Sequence, residues 1–188
     1  MGVRFAEERA PVVAPGPWLR PLFAPALALA LVVLAVLLAN GRPIGAGDTR
    51  ANERVAASLV QEGDFDLDEY PEVEPPFAAT AGGRRVSIYP VLSSVLAAPV
   101  FAASRLVFAL DETGAALAGK VAASLFSAAA AGVLYLCLAL RGRARAFFAA
   151  AVFALGTTVW STSQALWQHP AAVLFLALAL LFLVLAED

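Results

Sequence analysis

The chain has 188 residues, 61% of them hydrophobic, with a net charge of −2 and a single cysteine, and its mean hydropathy is +0.77. Soluble domains carry about 45–50% apolar residues, so a water-soluble globule is excluded, and no nucleic-acid partner is expected of so weakly acidic a chain. Lone Cys137 excludes an intrachain disulfide and a thiolate metal cluster; inside an apolar block it reads as a small buried residue.

Residues 1–20 are mixed in charge and proline-bearing and read as a cytoplasmic N-terminal segment. The block Pro21 to Ala39 is apolar on every face, as lipid demands of a helix that satisfies its own backbone. No small-residue cleavage site follows it, so it reads as an uncleaved first span rather than a signal peptide. Asn40-Gly41-Arg42-Pro43 ends it.

Residues 41–115 form the first extracytoplasmic loop in this reading. Asp48 to Gln61 (DTRANERVAASLVQ) has a helical pattern and is followed by the acidic, proline-bearing DFDLDEYPEVEPP. The carboxylates from Asp64 to Glu74 suit a hard cation, but without the glycine and glutamate spacing of an EF-hand they read as a solvated loop face.

Three later apolar blocks complete an expected all-α fold: a polytopic helical membrane protein with about four transmembrane helices plus juxtamembrane helices in the first loop. The spans fall near 21–40, 116–140, 146–163 and 171–187, each judged against the roughly 20 residues that cross a hydrocarbon layer. Residues 88–110 have the length of a span, yet they hold Pro90, Pro99 and Arg105. If they cross, Arg141, Arg143 and Arg145 fall outside while Arg4, Arg9 and Arg20 stay inside, against the positive-inside bias. An interfacial helix near 88–110 with both termini inside is therefore expected, five spans being the alternative.

Two polar constellations interrupt this pattern. The first is Gly47-Asp48-Thr49-Arg50 with Glu53 and Arg54 one turn later, where a shielded carboxylate at the membrane boundary can serve as a general base. Asp48 can equally cap the helix that follows. The second is Trp160, Ser161, Thr162, Ser163, Gln164, Trp167, Gln168 and His169, whose tryptophans suit an interfacial belt. Four spans put both constellations on one side.

The stretches GDTRANERVAASLVQEGDFDL, RRVSIYPVLSSVLAAPVFAASRL, LAGKVAASLFSAAAAGVLYL and GTTVWSTSQALWQHPAAVLFL resemble, in this order, the N-terminal module of GT-C glycosyltransferases. The branch with protein O-mannosyltransferases and lipid A aminoarabinose transferases, glycosyltransferase family 39, is the most similar. The resemblance implies sugar transfer from a polyprenyl-phosphate donor to an extracytoplasmic acceptor in a cell membrane, with Asp48 matching the catalytic aspartate and Glu53 supporting it. It makes Arg50, Arg84, Arg85, Arg105 and Lys120 candidates for the lipid phosphate, with headgroup anchoring as the bland role. Tyr89-Pro90 matches a paired-proline position, and Gln168 and His169 stand in the second outer turn. Relatives place an acidic residue there; His169 in its stead puts a two-carboxylate metal site in question, leaving a divalent cation as an option.

Relatives also carry more spans, so further C-terminal spans or a second membrane subunit are expected to complete the assembly. Two other classes fit the same residues. One is a noncatalytic module binding a lipid-linked sugar or a partner protein, and the other a transporter fragment, disfavoured by spans nearly free of ionisable groups.

Overall fold

The computed structural model of the chain describes residues 20–139 and 142–187. The segment 1–19, with Arg4 and Arg9, lies outside the described residues, as does Arg141.

The chain is mostly helical: α1 (Arg20–Leu38), α2 (Gly47–Gln61), α3 (Leu92–Ser104), α4 (Glu112–Ala139), α5 (Arg143–Leu155), α6 (Thr158–Thr162) and α7 (Gln168–Glu187), with a hairpin of β1 (Ala78–Ala81) and β2 (Arg84–Ser87) between α2 and α3. Three helices, α1, α4 and α7, are long and apolar enough to cross a membrane. They match the blocks expected near 21–40, 116–140 and 171–187.

The block expected near 146–163 is different. Its helix α5 has 13 residues, about 20 Å at 1.5 Å per residue, short of a hydrocarbon core of about 30 Å. Gly156 closes it, and Thr157 starts the short α6 by accepting the amide of Val159 at 3.2 Å. Threonine at that position competes with the continuing helix for backbone hydrogen bonds. The interfacial helix expected near 88–110 is likewise confined to the 13 residues of α3, too short to cross.

An all-α loop is also corrected. Gly82 and Gly83 both have positive φ, 60° and 83°, the turn that a two-residue hairpin with right-handed strand twist requires. Ala78 pairs with Ser87 and Ala81 with Arg84. Asp66 bridges Val86, docking the acidic segment onto the hairpin edge.

Helix α4 is the axis of the molecule, packed by α1, α5 and α7 through small residues. A Cβ at Gly132 would lie 3.2 Å from the carbonyl oxygen of Ala26 on α1, so these backbones meet closely. Lys120 on α4 reaches Asn40, just past the end of α1, so α1 and α4 are antiparallel. Cys137 on α4 lies against the carbonyl of Ala177 on α7 at 3.9 Å, while Gly119 abuts Leu166, just ahead of α7. Helices α4 and α7 are therefore parallel, and residues 142–167 return along the length of α4. The loop 41–111 and the 163–169 turn consequently occupy the same end.

The core has two parts. One joins α1, α4 and α5 through Leu29, Val33, Leu37, Ala131, Tyr135 and Ala150. The other, at the loop end, packs α2, α3 and the start of α4 around Val55, Leu67, Phe101 and Leu166.

Replacing Gly132 by leucine forces α1 from α4. Overpacking of this kind costs about 1–3 kcal/mol. We expect Gly132→Leu to lower the thermal unfolding midpoint of the purified chain; an unchanged midpoint contradicts the close α1–α4 approach.

Candidate functional site

Helix α2 begins where glycines let other groups come close. Ala46 is extended (φ −136°, ψ −177°), and Thr49 Oγ1 accepts its amide at 3.0 Å while donating to its carbonyl at 2.9 Å. The cap is thus Thr49 folding back. Asp48 is not the cap: its half-buried carboxylate accepts the Thr49 amide at 3.0 Å. A Cβ at Gly47 would stand 2.2 Å from the Phe77 ring, so only glycine lets this aromatic close the first turn.

The buried face of α2 is polar. Asn52 Nδ2 donates to the Leu166 carbonyl at 3.0 Å, and Ser94 of α3 donates to the Asn52 carbonyl at 2.8 Å. Glu53 is 5% exposed. Its Oε1 accepts the Leu166 amide at a long 3.5 Å, and its Cγ packs where a Cβ on Gly119 would be 2.8 Å away. These residues join α2 to the turn ahead of α7, so the loop 41–111 and the 163–169 turn are fastened together.

A cavity of about 350 Å³ opens beside them, lined by Pro43, Gly45, Thr49, Arg50, Glu53, Arg54 and Glu112 among others. Asp48 is not among its lining residues, although both its neighbours are. Arg50 pairs with Glu112 at 2.8 Å at the exposed side. Arg54 is buried: it pairs with Glu72 at 2.7 Å, donates to the Leu110 carbonyl at 3.3 Å and stacks over Tyr70, 4.9 Å from the ring centroid.

Burial pushes the Glu53 carboxyl up to about 8, against the Leu166 amide and the nearby Arg54 and Arg50 charges, which favour the ionised form. The neutral acid is thus the resting form near pH 7, a hydrogen-bond donor facing the cavity.

Several expected phosphate partners are committed elsewhere. Arg84 is ion-paired with Asp66 and lies 3.7 Å from Asp64. Arg85 donates to the carbonyls of Tyr70, at 3.3 Å, and Val73, and its amide bonds Asp68 at 2.8 Å. This pair folds the acidic segment, because a guanidinium's five donors suit several carbonyls at once. Arg105, exposed at the end of α3, donates to the Val60 carbonyl at 3.1 Å. The Tyr89 ring packs against the loop core and its amide bonds Ser87 Oγ at 3.1 Å.

Lys120 departs furthest from expectation. It is 1% exposed and donates to Asn40 Oδ1 and, at 2.8 Å, to the Arg42 carbonyl. Asn40 Nδ2 donates to Gln164 Oε1 at 2.8 Å, Gln164 Nε2 to Ser163 Oγ at 3.0 Å, and Ser124 of α4 to the Ser163 carbonyl at 3.0 Å. Lys120 therefore fastens the end of α1, through Asn40, to the 163–169 turn.

His169 is exposed, its ring edge-on to Trp167 with centroids 6.1 Å apart. Gln168 Nε2 is buried without a hydrogen-bond partner among the described residues. Carboxylate oxygens of Asp64, Asp66 and Glu69 lie within 4.8 Å of one another, but the Arg84 guanidinium already supplies their positive charge. Asn40, Asn52 and Glu112 were not singled out by sequence. Polar residues on the inward face of an otherwise apolar-packed helix were the available signal for Asn52.

Comparison with protein-family models, curated proteins and solved structures finds no match to this chain.

The folded chain keeps a proton on Glu53 that the unfolded chain releases above about 4.5. The stability this contributes is complete below that value and is lost as pH rises toward about 8. On the order of 2 kcal/mol should go between pH 5 and 7. Thermal unfolding across that interval should show the decline in the wild type and a flatter profile in Glu53→Gln; parallel profiles contradict it.

Proposed function

We propose that the chain is the N-terminal part of a GT-C-type glycosyltransferase, moving a sugar from a polyprenyl-phosphate donor to an acceptor outside the cytoplasm. The observation that carries this reading is the meeting of α2, bearing Asp48 and Glu53, with the turn ahead of α7 at the end of three long apolar helices, beside a cavity lined by α2, the segment before it and the start of α4.

The topology we propose has four crossings. Residues 142–167 leave one end of α4 and arrive at the other, so α5, α6 and the following turn act together as the return crossing although α5 alone is short. Irregular backbone is tolerated at membrane depth where it is packed against protein, and Ser124 and Gln164 hydrogen-bond that turn. Helix α3 supports an interfacial seat: Ile88, Leu92, Leu106 and Val107 are exposed, the last two at 88% and 81%, as suits a bilayer boundary.

In the proposed reaction an acceptor hydroxyl attacks the anomeric carbon. Its proton passes to the Asp48 carboxylate, the anomeric carbon–oxygen bond to phosphate breaks, and the bonding pair leaves with the phosphate. Arg50 suits that phosphate, because its partner Glu112 is exposed and replaceable. Neutral Glu53 holds the acceptor by donating a hydrogen bond. His169 and Gln168, at the start of α7, are the second-turn contributors in this reading. Further spans or a second membrane subunit complete the donor site.

The test is sugar transfer by membranes carrying the chain with its completing spans or subunit, using a radiolabelled polyprenyl-phosphate sugar. Asp48→Asn should lower turnover at least about 100-fold, within the range general-base catalysis contributes, with donor binding retained. Undiminished transfer removes Asp48 as the base, and donor binding without any transfer in the wild type favours a noncatalytic binding module.

A further inference from the structure

Charge is divided between the two ends of the molecule. Among the described residues the acids run from Asp48 to Glu112, all at the loop end, with Glu187 as the exception. The cations there are engaged locally: Arg50 with Glu112, Arg54 with Glu72 and Arg84 with Asp66, while Arg85, Arg105 and Lys120 donate to main-chain carbonyls. At the opposite end Arg20 opens α1, and Arg143 and Arg145 stand in the first turn of α5. All three are exposed, and among the described residues no carboxylate pairs with them. Helices α1 and α5 both run antiparallel to α4, so these guanidiniums gather at one level. Glu187 closes α7 about 15 Å past Ala177, which touches Cys137, and so stands beyond that level.

The two helices also share a pattern on their outer faces. On α1 the exposed Arg20 is followed at helical spacing by exposed Phe23 and Leu27, and on α5 the exposed Arg145 by Phe148 and Val152. Their inner faces carry Leu22, Ala26 and Leu29 on α1 and Ala146, Ala150 and Ala154 on α5, all packed into the bundle core. Each helix thus presents a guanidinium at its end and an apolar strip along its flank, the order in which a phospholipid presents a charged headgroup and an acyl chain. Helix α1 is long and apolar enough to cross a membrane, which brings lipid to this surface. We infer that the end where α1 and α5 begin binds phospholipids of net negative headgroup, with Arg20, Arg143 and Arg145 at the headgroup and Phe23 and Phe148 along the acyl chains. A zwitterionic headgroup cancels its own phosphate charge and suits clustered cations less well. An acidic protein segment would answer the arginines and leave the phenylalanine strips bare.

This surface lies at the far end of α4 from the cavity, and the inference stands or falls apart from the proposed reaction. Its test is the lipid selectivity of the full chain in phosphatidylcholine vesicles. Electron paramagnetic resonance reads the motionally restricted fraction of spin-labelled phosphatidylglycerol and, separately, of spin-labelled phosphatidylcholine. One arginine near an acidic surface favours it about fivefold, so phosphatidylglycerol should be restricted at least about that much more strongly, and added salt should weaken the preference. Arg20→Lys, Arg143→Lys and Arg145→Lys together should retain the preference, whereas Arg20→Gln, Arg143→Gln and Arg145→Gln together should abolish it. Arg105→Gln, at the loop end, should leave it intact. Equal restriction of the two lipids by the wild type, which needs no variant to fold, overturns the inference and leaves the arginines to an acidic protein partner. A preference that survives the triple glutamine variant, or that is lost in Arg105→Gln alone, overturns it as well.

Discussion

Two hydrogen bonds to the backbone of Leu166, from the Asn52 amide and to the Glu53 carboxyl, hold α2 against the turn ahead of α7. Everything of chemical interest depends on that junction. Backbone groups buried in an irregular turn must find partners, and here a helix 113 and 114 residues away in sequence supplies them. Removing either side chain would leave a buried polar group unsatisfied, at about 1–3 kcal/mol. The Lys120, Asn40 and Gln164 chain makes the same connection from the other side, tying α4, the exit of α1 and the turn into one polar layer.

This layer explains why a helix as apolar as α4 tolerates a lysine. Burying the ammonium is costly, and the hydrogen bonds it donates to Asn40 and the Arg42 carbonyl offset part of that cost. Its charge keeps the loop 40–46 in place, and that loop supplies Pro43, Gly45 and Ala46 to the cavity wall. Fold and site are thus fixed by the same few buried polar groups, while the apolar faces of α1 and α7 remain turned outward, as exposed Leu27, Leu31, Leu176 and Leu183 show.

The long helices were legible because their signal is local: α1, α4 and α7 announce themselves by length and apolarity, and α2 by the periodicity of DTRANERVAASLVQ. The hairpin's only local signal is the Gly82-Gly83 pair at its turn. The arginines were legible as cations but not as partners, because whether Arg85 meets a phosphate or the carbonyls of residues 70 and 73 is decided by how the acidic segment folds around it. The same limit applies to Lys120 and to Asp48, whose alternative role as helix cap falls to Thr49. In each case the missing information was the tertiary partner, which no spacing encodes. The break after α5 lay in Gly156-Thr157, a signal weaker than the apolar run around it.

The proposed chemistry requires that α2 and the turn ahead of α7 stand at one end of α4, whose 28 residues extend about 42 Å. Spin labels at Arg50→Cys and His169→Cys, both exposed sites, in a Cys137→Ser background measure this by pulsed electron paramagnetic resonance. A distance distribution centred below about 25 Å, well short of the length of α4, is the predicted result. A distribution centred near or beyond about 40 Å would place the two segments at opposite ends of α4 and contradict the site as a whole.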